Sequence, residues 1–297
     1  MADFYNNLIR IKYKHFKIQR LNNNKDDIKK NKEIKEEIKE EIKEENKEEI
    51  KEENKEEIKE ENNIIKNSKH KIYCLMITGK DEFRYNFART SIKNFKIQDY
   101  ENKYLIIINH GKIKLINEKN AIIKEYMVSK NNKTLGDLRN ISLSHVPNGV
   151  IWTTWDDDDW RHETYLSVLY NELIRDNKQF LLIKNRLSYN IVNKMKWMET
   201  IRTGCCCTYF AYKNNIFTYS SLDTNEDAII KKIVKKYNIP FVIYDNDPKL
   251  YLRFVHNNNT SRFVQVDRTK LYKNQRLITN DESTYIFKCL ENNYKYI

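Results

Sequence analysis

Short apolar stretches alternate with amphipathic stretches between residues 71 and 175. The apolar stretches predict strands of a partly or fully buried sheet at 71–78, 104–109, 121–128 and 150–155. The stretches between and after them repeat apolar residues every three to four positions and predict helices at 81–95, 135–145 and 161–175. Strands that alternate with helices predict βαβ units, and therefore an α/β domain whose central sheet is mostly parallel, with helices on both faces.

After residue 180 the apolar stretches become shorter, which predicts a different part of the same domain. Strands are expected at 180–184, 187–192, 206–212, 239–245 and 250–256, with a helix at 225–237. Residues 266–297 show no strong period, and we expect them to form a C-terminal cover.

The N-terminal fifth of the chain has a different composition from the rest. Residues 1–30 are basic and aromatic, which leaves a peripheral membrane contact open. Residues 31–66 contain seven copies of Lys-Glu-Glu-(Ile/Asn). Because a period of four exceeds the 3.6 residues of a helical turn, the Ile positions drift around the helix and form no seam. We predict a charged, partly helical spacer, followed by an α/β domain at 67–265 and the cover at 266–297.

The 297-residue chain has a formal net charge of +12, and the glutamate-rich repeat means that the rest is more basic than this value indicates. Such an excess suits phosphate-bearing ligands, acidic polymers or an anionic membrane surface. A general bias toward Lys, Asn, Ile and Tyr accounts for it equally well. Composition therefore does not decide between these explanations.

Five cysteines, three of them contiguous at 205–207, match neither a disulfide framework nor a CxxC metal pattern. Reduced thiols, and so a cytoplasmic location, are the expectation. No stretch approaches the length of a membrane span, and the N-terminus lacks the uninterrupted apolar region of a secretory signal. We expect a protein that is at most peripheral to membranes.

The strand predicted at 150–155 runs directly into four consecutive aspartates, at 156–159, which lie between Trp155 and Trp160. Adjacent carboxylates repel one another, and a buried cluster of them requires compensating cations. At the end of a strand this compensation is usually a divalent metal bound by oxygen ligands. A solvated acidic turn is the alternative, but the apolar strand and the two tryptophans favour the metal.

The order of these segments resembles that of family-2 glycosyltransferases of the GT-A fold. A Gly-x-x-Arg-Asn element stands at 136–140, and an Asp-x-Asp motif closes a strand within 155–160. The further matching segments are a small-residue stretch at 203–207, an acidic pair opening a helix at 225–227, and a histidine after a strand at 251–256. The likeness extends from residue 71 to about residue 262.

The resemblance implies a metal-dependent, inverting glycosyltransferase that uses a nucleotide-sugar donor. The acceptor would be a hydroxyl of a glycan or of a lipid-linked or protein-linked sugar, and no nucleic acid is expected as a partner. Donor-binding residues would be Thr78, Asn109, Arg139, Asp156 and Asp157; ligands of Mn²⁺ or Mg²⁺ would be Asp156, Asp158 and His256, with Asp159 assisting. Asp227, or Glu226 beside it, would be the general base, and Trp160, Gly204 and Cys205 would contact the acceptor.

One segment departs from the family pattern. The chain has Asn109-His110-Gly111 where the family often has two aspartates, the first of which recognises the nucleobase. A preference for uracil is therefore not implied, and a non-catalytic glycan- or nucleotide-binding relative is one alternative. A two-metal nuclease or phosphotransferase acting on nucleic acid is another, since the acidic run and the basic charge also suit that chemistry. Each site residue also has an ordinary structural explanation, such as helix N-terminal charge for Glu226 and Asp227.

Overall fold

The central sheet is built around the strand β1, Ile72–Thr78. The computed structural model describes residues 71–79, 82–117, 120–175, 177–256 and 275–293, all within 68–297, one of the two units into which the chain divides. β1 pairs in parallel with β2 (Lys103–Asn109) and with β4 (Ile151–Thr154), and β2 pairs in parallel with β3 (Ile123–Met127). The carboxyl ends of these four strands therefore lie at one edge of the sheet.

The other half of the sheet contains its one antiparallel strand among the described residues. β9 (Phe210–Tyr212) lies antiparallel between β4 and β6 (Phe180–Ile183), and β10 (Phe241–Tyr244) extends β6 in parallel. The resulting order of seven strands is β10-β6-β9-β4-β1-β2-β3. The prediction of a mostly parallel central sheet is confirmed.

Helices cover both faces of this sheet because its central strands are apolar on both sides. Side chains of β1 point alternately to the two faces, so Ile72, Cys74 and Met76 join one apolar core while Leu75 and Ile77 join another. Residues of α1 (Glu82–Lys96) and α3 (Tyr165–Arg175) pack in the first core. Residues of α2 (Leu135–Ser144) and α4 (Ala228–Lys236) pack in the second.

A second, smaller sheet stands beside the carboxyl edge of the first. Its strands are β5 (Trp160–Arg161), β7 (Asn185–Asn190), β8 (Lys196–Thr200), β11 (Tyr251–Val255) and β12 (Gln275–Arg276), in the order β12-β8-β7-β11-β5. A 3-10 turn, Pro248–Leu250, leads into β11. The last helix, α5 (Asn280–Asn293), contributes Ile286 and Cys289 to a third core that also contains Trp160.

The structure corrects the expected elements in several places. The helix expected at 161–175 begins at Tyr165, because Trp160 and Arg161 form β5 and pair antiparallel with β11. Strand β8 was not expected, and the segment described as a patternless cover contains β12 and α5. The helix expected at 225–237 begins at Ala228, with Asp227 at its N-cap position. The predicted segments 1–30 and 31–66 lie outside the described residues.

Candidate active site

The four aspartates form the turn that joins the two sheets. Asp156–Asp159 follows β4 of the central sheet and precedes β5 of the smaller one. Trp155, just before the turn, is fully buried; its backbone N–H donates to the Leu75 carbonyl at 2.9 Å and its ring packs edge-on against Phe95. The start of the turn is thereby fixed to β1 and α1.

The end of the turn is fixed by α1 as well. Asn94 of α1 donates from its side-chain amide to the Arg161 carbonyl at 2.7 Å and accepts from the Arg161 backbone N–H at 3.0 Å. The buried Arg161 guanidinium lies over the Trp155 ring, 4.3 Å from its centroid, and donates to the Thr154 carbonyl at 3.3 Å. Both ends of the acidic turn are therefore rigidly held.

The turn is buried, which excludes the alternative of a solvated acidic loop. Asp157, Asp158 and Asp159 are 1%, 7% and 5% exposed, and the Asp156 side chain is 20% exposed. Carboxylates at such depth need compensating charges or hydrogen bonds.

Arginines supply much of the compensation. Arg84 of α1 contacts Asp157 through Nη2 and Asp158 Oδ2 through Nη1 at 2.6 Å. Arg139 of α2 contacts Asp156 Oδ1 through Nη2 at 3.1 Å and Glu226 Oε1 through Nε at 2.9 Å. Each of the first three aspartates therefore has a guanidinium partner.

Asp158 also contacts the histidine that the resemblance singles out. His256 Nε2 lies 3.1 Å from Asp158 Oδ2. The buried imidazole stacks on Phe87 at a centroid distance of 5.0 Å and packs edge-on against Phe83 at 5.2 Å. Two aromatic residues of α1 therefore hold the ring against the carboxylate.

The Asp159 carboxylate is bound by residues of the smaller sheet. It accepts a short hydrogen bond from the Tyr251 hydroxyl and a second from the Phe254 backbone N–H at 3.2 Å. These two contacts attach the turn to β11, and they give Asp159 a structural explanation that does not need a metal.

Burial and neighbouring charges shift the pKa values of these aspartates in different directions. Burial raises the pKa of Asp159 to about 7, and the charges of Asp158 and Asp156 act in the same direction. Burial likewise raises the pKa of Asp157, although Arg84 opposes it. At Asp158 the penalty of burial is outweighed by Arg84 and His256, which hold its pKa well below the usual range. Asp158 therefore stays ionised throughout the neutral range.

A cleft of about 1170 Å³ opens at the carboxyl edge of the central sheet. Its walls include residues that directly follow three adjacent parallel strands: Gly79 after β1, His110 after β2 and the acidic turn after β4. The site residues predicted from sequence that line it are Thr78, Arg139, Asp156, Asp157, Asp158, Asp159, Gly204, Glu226 and Asp227. Open α/β sheets bind ligands at this edge.

Asp227 and Glu226 are adjacent but differently engaged. Glu226 is buried and bound to Arg139, and burial raises its pKa while Arg139 opposes this. Asp227 is half-buried in the cleft, at the N-terminal end of α4, and its Oδ2 accepts from the Cys207 thiol at 3.1 Å. Of the two, Asp227 is the carboxylate more accessible to a ligand.

Four of the predicted residues do not line this cleft. Asn109 is fully buried and closes the following loop: its amide donates to the Ile113 carbonyl at 2.8 Å and to Glu125 at 2.6 Å, and its oxygen accepts from Gly111. Trp160 packs in the third core, and Cys205 packs in the first. Acceptor contacts through Trp160 and Cys205 and a nucleobase contact through Asn109 are at odds with these positions. The fourth, His256, is buried behind Asp158.

Sequence reasoning missed Arg84, Arg161 and Tyr251. Arg84 lies in the first turn of α1, and the only signal for it was topological: a helix that follows β1 starts at the same sheet edge as the turn that follows β4. Arg161 was included in a predicted helix. Tyr251 lies about ninety residues from Asp159, so no local pattern connects the two.

The residues present do not fit a divalent ion in this arrangement. Carboxylate oxygens and an imidazole are suitable ligand types. However, no three His, Cys, Asp or Glu side chains in the described part of the chain converge closely enough to hold one ion. One oxygen of each of Asp156, Asp157 and Asp158 contacts a guanidinium group instead.

The architecture defines an α/β protein with a mostly parallel sheet and a cleft at its carboxyl edge. No family model matches the sequence, and no curated protein matches it. No helix of the described residues has the length and apolar character needed to cross a membrane.

Solved structures similar to this chain include TarS and a mannosyltransferase. The 1–349 fragment of TarS from S. aureus has a TM-score of 0.48 and 14% identity over 62% of this chain and 60% of that one. The same fragment in complex with UDP-GlcNAc has a TM-score of 0.47 and 16% identity, with 62% and 58% covered. The mannosyltransferase PcManGT from Pyrobaculum calidifontis, in complex with GDP-Man and Mn²⁺, has a TM-score of 0.43 and 9% identity, with 62% and 56% covered. The chain thus matches about 60% of the length of the TarS fragment.

Proposed function

We propose that this chain transfers a sugar from a nucleotide-sugar donor to the hydroxyl of an acceptor. The observation that carries the proposal is the convergence of the acidic turn, Arg139 and the Glu226–Asp227 pair on one cleft at the carboxyl edge of a parallel sheet. The cleft is somewhat larger than the roughly 300–1,000 Å³ of ordinary small-molecule pockets. A donor and an acceptor group can therefore occupy it together.

The donor diphosphate would be held by the cationic groups of the cleft. Departure of a nucleoside diphosphate leaves negative charge on its terminal phosphate, and fixed positive groups stabilise that charge most in a site shielded from water. Arg84, Lys130 and Arg139 all line the cleft. Asp156, the most exposed aspartate of the turn, would accept hydrogen bonds from a donor hydroxyl.

Asp227 would act as the general base. A sugar hydroxyl has a high pKa and needs a carboxylate within hydrogen-bond reach to accept its proton as it attacks. Asp227 is half-buried and lines the cleft, whereas Glu226 is occupied by Arg139 and would orient that arginine. A single base opposite a single leaving group implies one displacement, with inversion at the anomeric carbon.

The acceptor would enter beside Asp227, where Gly204 lines the cleft. Lys231 of α4 donates to the Gly204 carbonyl at 2.7 Å, which fixes this loop next to the base. A hydroxyl of a glycan, a lipid-linked sugar or a glycoprotein remains the proposed acceptor.

Use of Mn²⁺ or Mg²⁺ also remains a proposal that derives from the acidic run. A divalent ion bound there would supply Lewis-acid stabilisation of the leaving diphosphate. Because the carboxylates are paired with arginines, the arrangement of these ligands does not fit the ion.

The test is release of nucleoside diphosphate from a panel of nucleotide sugars, with and without Mn²⁺ and simple glycan acceptors. We expect turnover of at least one donor, and a fall in kcat of about 10²–10⁴-fold in Asp227→Asn with little change in KM, because only proton transfer is removed. Asp245→Asn is the matched control, since Asp245 is an exposed partner of Lys184 outside the cleft.

Two other outcomes would contradict the proposal. Cleavage of DNA or RNA that depends on the acidic turn would indicate a nuclease. Binding of a nucleotide sugar without turnover, in both the wild type and the control variant, would indicate a non-catalytic relative.

A further inference from the structure

The guanidinium of Arg84 bridges two neighbouring aspartates of the acidic turn. Nη1 lies 2.6 Å from Asp158 Oδ2, and Nη2 makes a still closer contact with Asp157 Oδ1. The Arg84 side chain is 18% exposed, and the Asp157 side chain is 1% exposed. A planar guanidinium with paired N–H donors suits such a two-carboxylate contact, and a charge-assisted pair with this little water is stronger than a surface pair.

The position of Arg84 is fixed by the fold. Its helix α1 follows β1, and Ser91 and Asn94 of the same helix hydrogen-bond to the backbone on either side of the turn, at the Asp156 and Arg161 carbonyls. The first turn of α1 is therefore held beside the aspartates, and Arg84 acts as an intramolecular ligand with a high effective concentration.

A divalent cation bound by Asp157 and Asp158 would lie within a few ångströms of the Arg84 guanidinium, which contacts one oxygen of each carboxylate. Asp158 Oδ2 contacts both Arg84 Nη1 and His256 Nε2, so this oxygen already has two nitrogen partners. A guanidinium and a divalent cation a few ångströms apart repel each other strongly in a buried site. Occupation by one therefore opposes occupation by the other.

We propose that Arg84 is the resident cation of the acidic turn, so that a divalent ion binds Asp157 and Asp158 only when Arg84 is displaced. The cation at the turn is then the Arg84 guanidinium, whereas the acidic run alone would predict a metal ion. This inference goes beyond the proposed function and does not depend on it, because it is tested with the metal ion alone.

The test is Mn²⁺ binding to the full chain, measured by equilibrium dialysis or from the free-ion EPR signal. Arg84→Met removes the guanidinium, and we expect its Kd for Mn²⁺ to be at least ten-fold lower than that of the wild type. The control is Arg89→Met on the same helix, because Arg89 is exposed and donates to Asn86 at 3.1 Å outside the turn. We expect its Kd for Mn²⁺ to equal that of the wild type.

Two further variants complete the test: one assigns the gain in affinity to the turn, and the other replaces Arg84→Met if that variant does not fold. Asp158→Asn in the Arg84→Met background should abolish the gain, which assigns it to the turn. If Arg84→Met fails to fold, Arg84→Gln replaces it, since its neutral amide removes the positive charge but can still donate a hydrogen bond to one carboxylate. Its Kd for Mn²⁺ should also be lower than that of the wild type. Equal or weaker Mn²⁺ binding by folded Arg84→Met or Arg84→Gln would overturn the proposal, as would a gain that survives Asp158→Asn.

Discussion

Asp159 illustrates how adjacent residues of one acidic run take different roles. Asp156 and Asp158 face arginines or the cleft, whereas Asp159 accepts from the Tyr251 hydroxyl and the Phe254 N–H in the smaller sheet. Burial, together with the charges of Asp158 and Asp156, raises its pKa to about 7. Because the folded protein holds this proton more tightly than the unfolded chain, its ionisation opposes folding.

We therefore expect Asp159 to make stability decrease as pH rises. Between the usual aspartate pKa of 3.8 and the raised pKa of about 7, the folded state binds a proton that the unfolded state has lost, so the free energy of unfolding falls across that window. Asp159→Asn lacks the titrating carboxyl, so its stability does not fall in this way. The difference in free energy of unfolding between variant and wild type should therefore change by about 1–3 kcal/mol between pH 5 and pH 8. Urea unfolding of both proteins at several pH values measures it. Parallel pH profiles would show that Asp159 does not carry this proton.

At the scale of elements, the site depends on how closely α2 approaches the loop before α4. Gly136 lies in the first turn of α2, and a Cβ added there would lie 1.8 Å from the Ser220 carbonyl oxygen. The helix begins with a capping box between Thr134 and Asp137, and Asn140 accepts from the Tyr219 backbone N–H at 2.7 Å. This close contact allows Arg139 to reach both Asp156 and Glu226.

Gly136→Ala should separate these elements. Since the obstructing atom is backbone, the helix or the loop must move, and we expect a loss of roughly 1–3 kcal/mol in the free energy of unfolding. Ser144→Ala, at an exposed position of the same helix, should change stability by less than about 0.5 kcal/mol. Denaturant unfolding of the two variants compares them directly. Equal stability in both would mean that the approach of α2 is not tight.

How far the sequence predicts these elements depends on how local their signals are. β1, β2 and β4 are continuous apolar stretches because they are buried on both faces, and the structure has them within one or two residues of the expected bounds. β5 has two residues and exists only because β11, about ninety positions later, pairs with it. No local period can indicate such an element.

The parts of the site also differ in whether a local sequence signal indicates them. The aspartates form a contiguous run, so the sequence shows them directly. Their partners Arg84, Arg139 and Tyr251 come from three separate elements, and the pairing of Arg84 with the turn follows only from the packing of α1. The sequence therefore indicated that the run needs positive charge, but not that arginines supply it.

At the scale of the whole molecule, the cleft combines opposite charges in nearly equal number. Six Arg or Lys residues and seven Asp or Glu residues line it. Because burial raises the pKa values of Asp157 and Asp159, fewer than seven negative charges are present near neutral pH. Under the proposed function, the arginines of such a cleft would bind an anionic diphosphate while a carboxylate remains for the acceptor hydroxyl.

Thermal unfolding with a panel of nucleotide sugars and nucleoside diphosphates, with and without Mn²⁺, tests the presence of a donor site most directly. A ligand at about 100 times its Kd stabilises the folded state by about 2.7 kcal/mol, which corresponds to a rise in Tm of roughly 5–10 °C for a domain of this size. The account predicts such a rise for at least one member of the panel in the wild type and in Asp245→Asn, and a much smaller one in Asp156→Ala. No rise with any member, or an equal rise in Asp156→Ala, would contradict it.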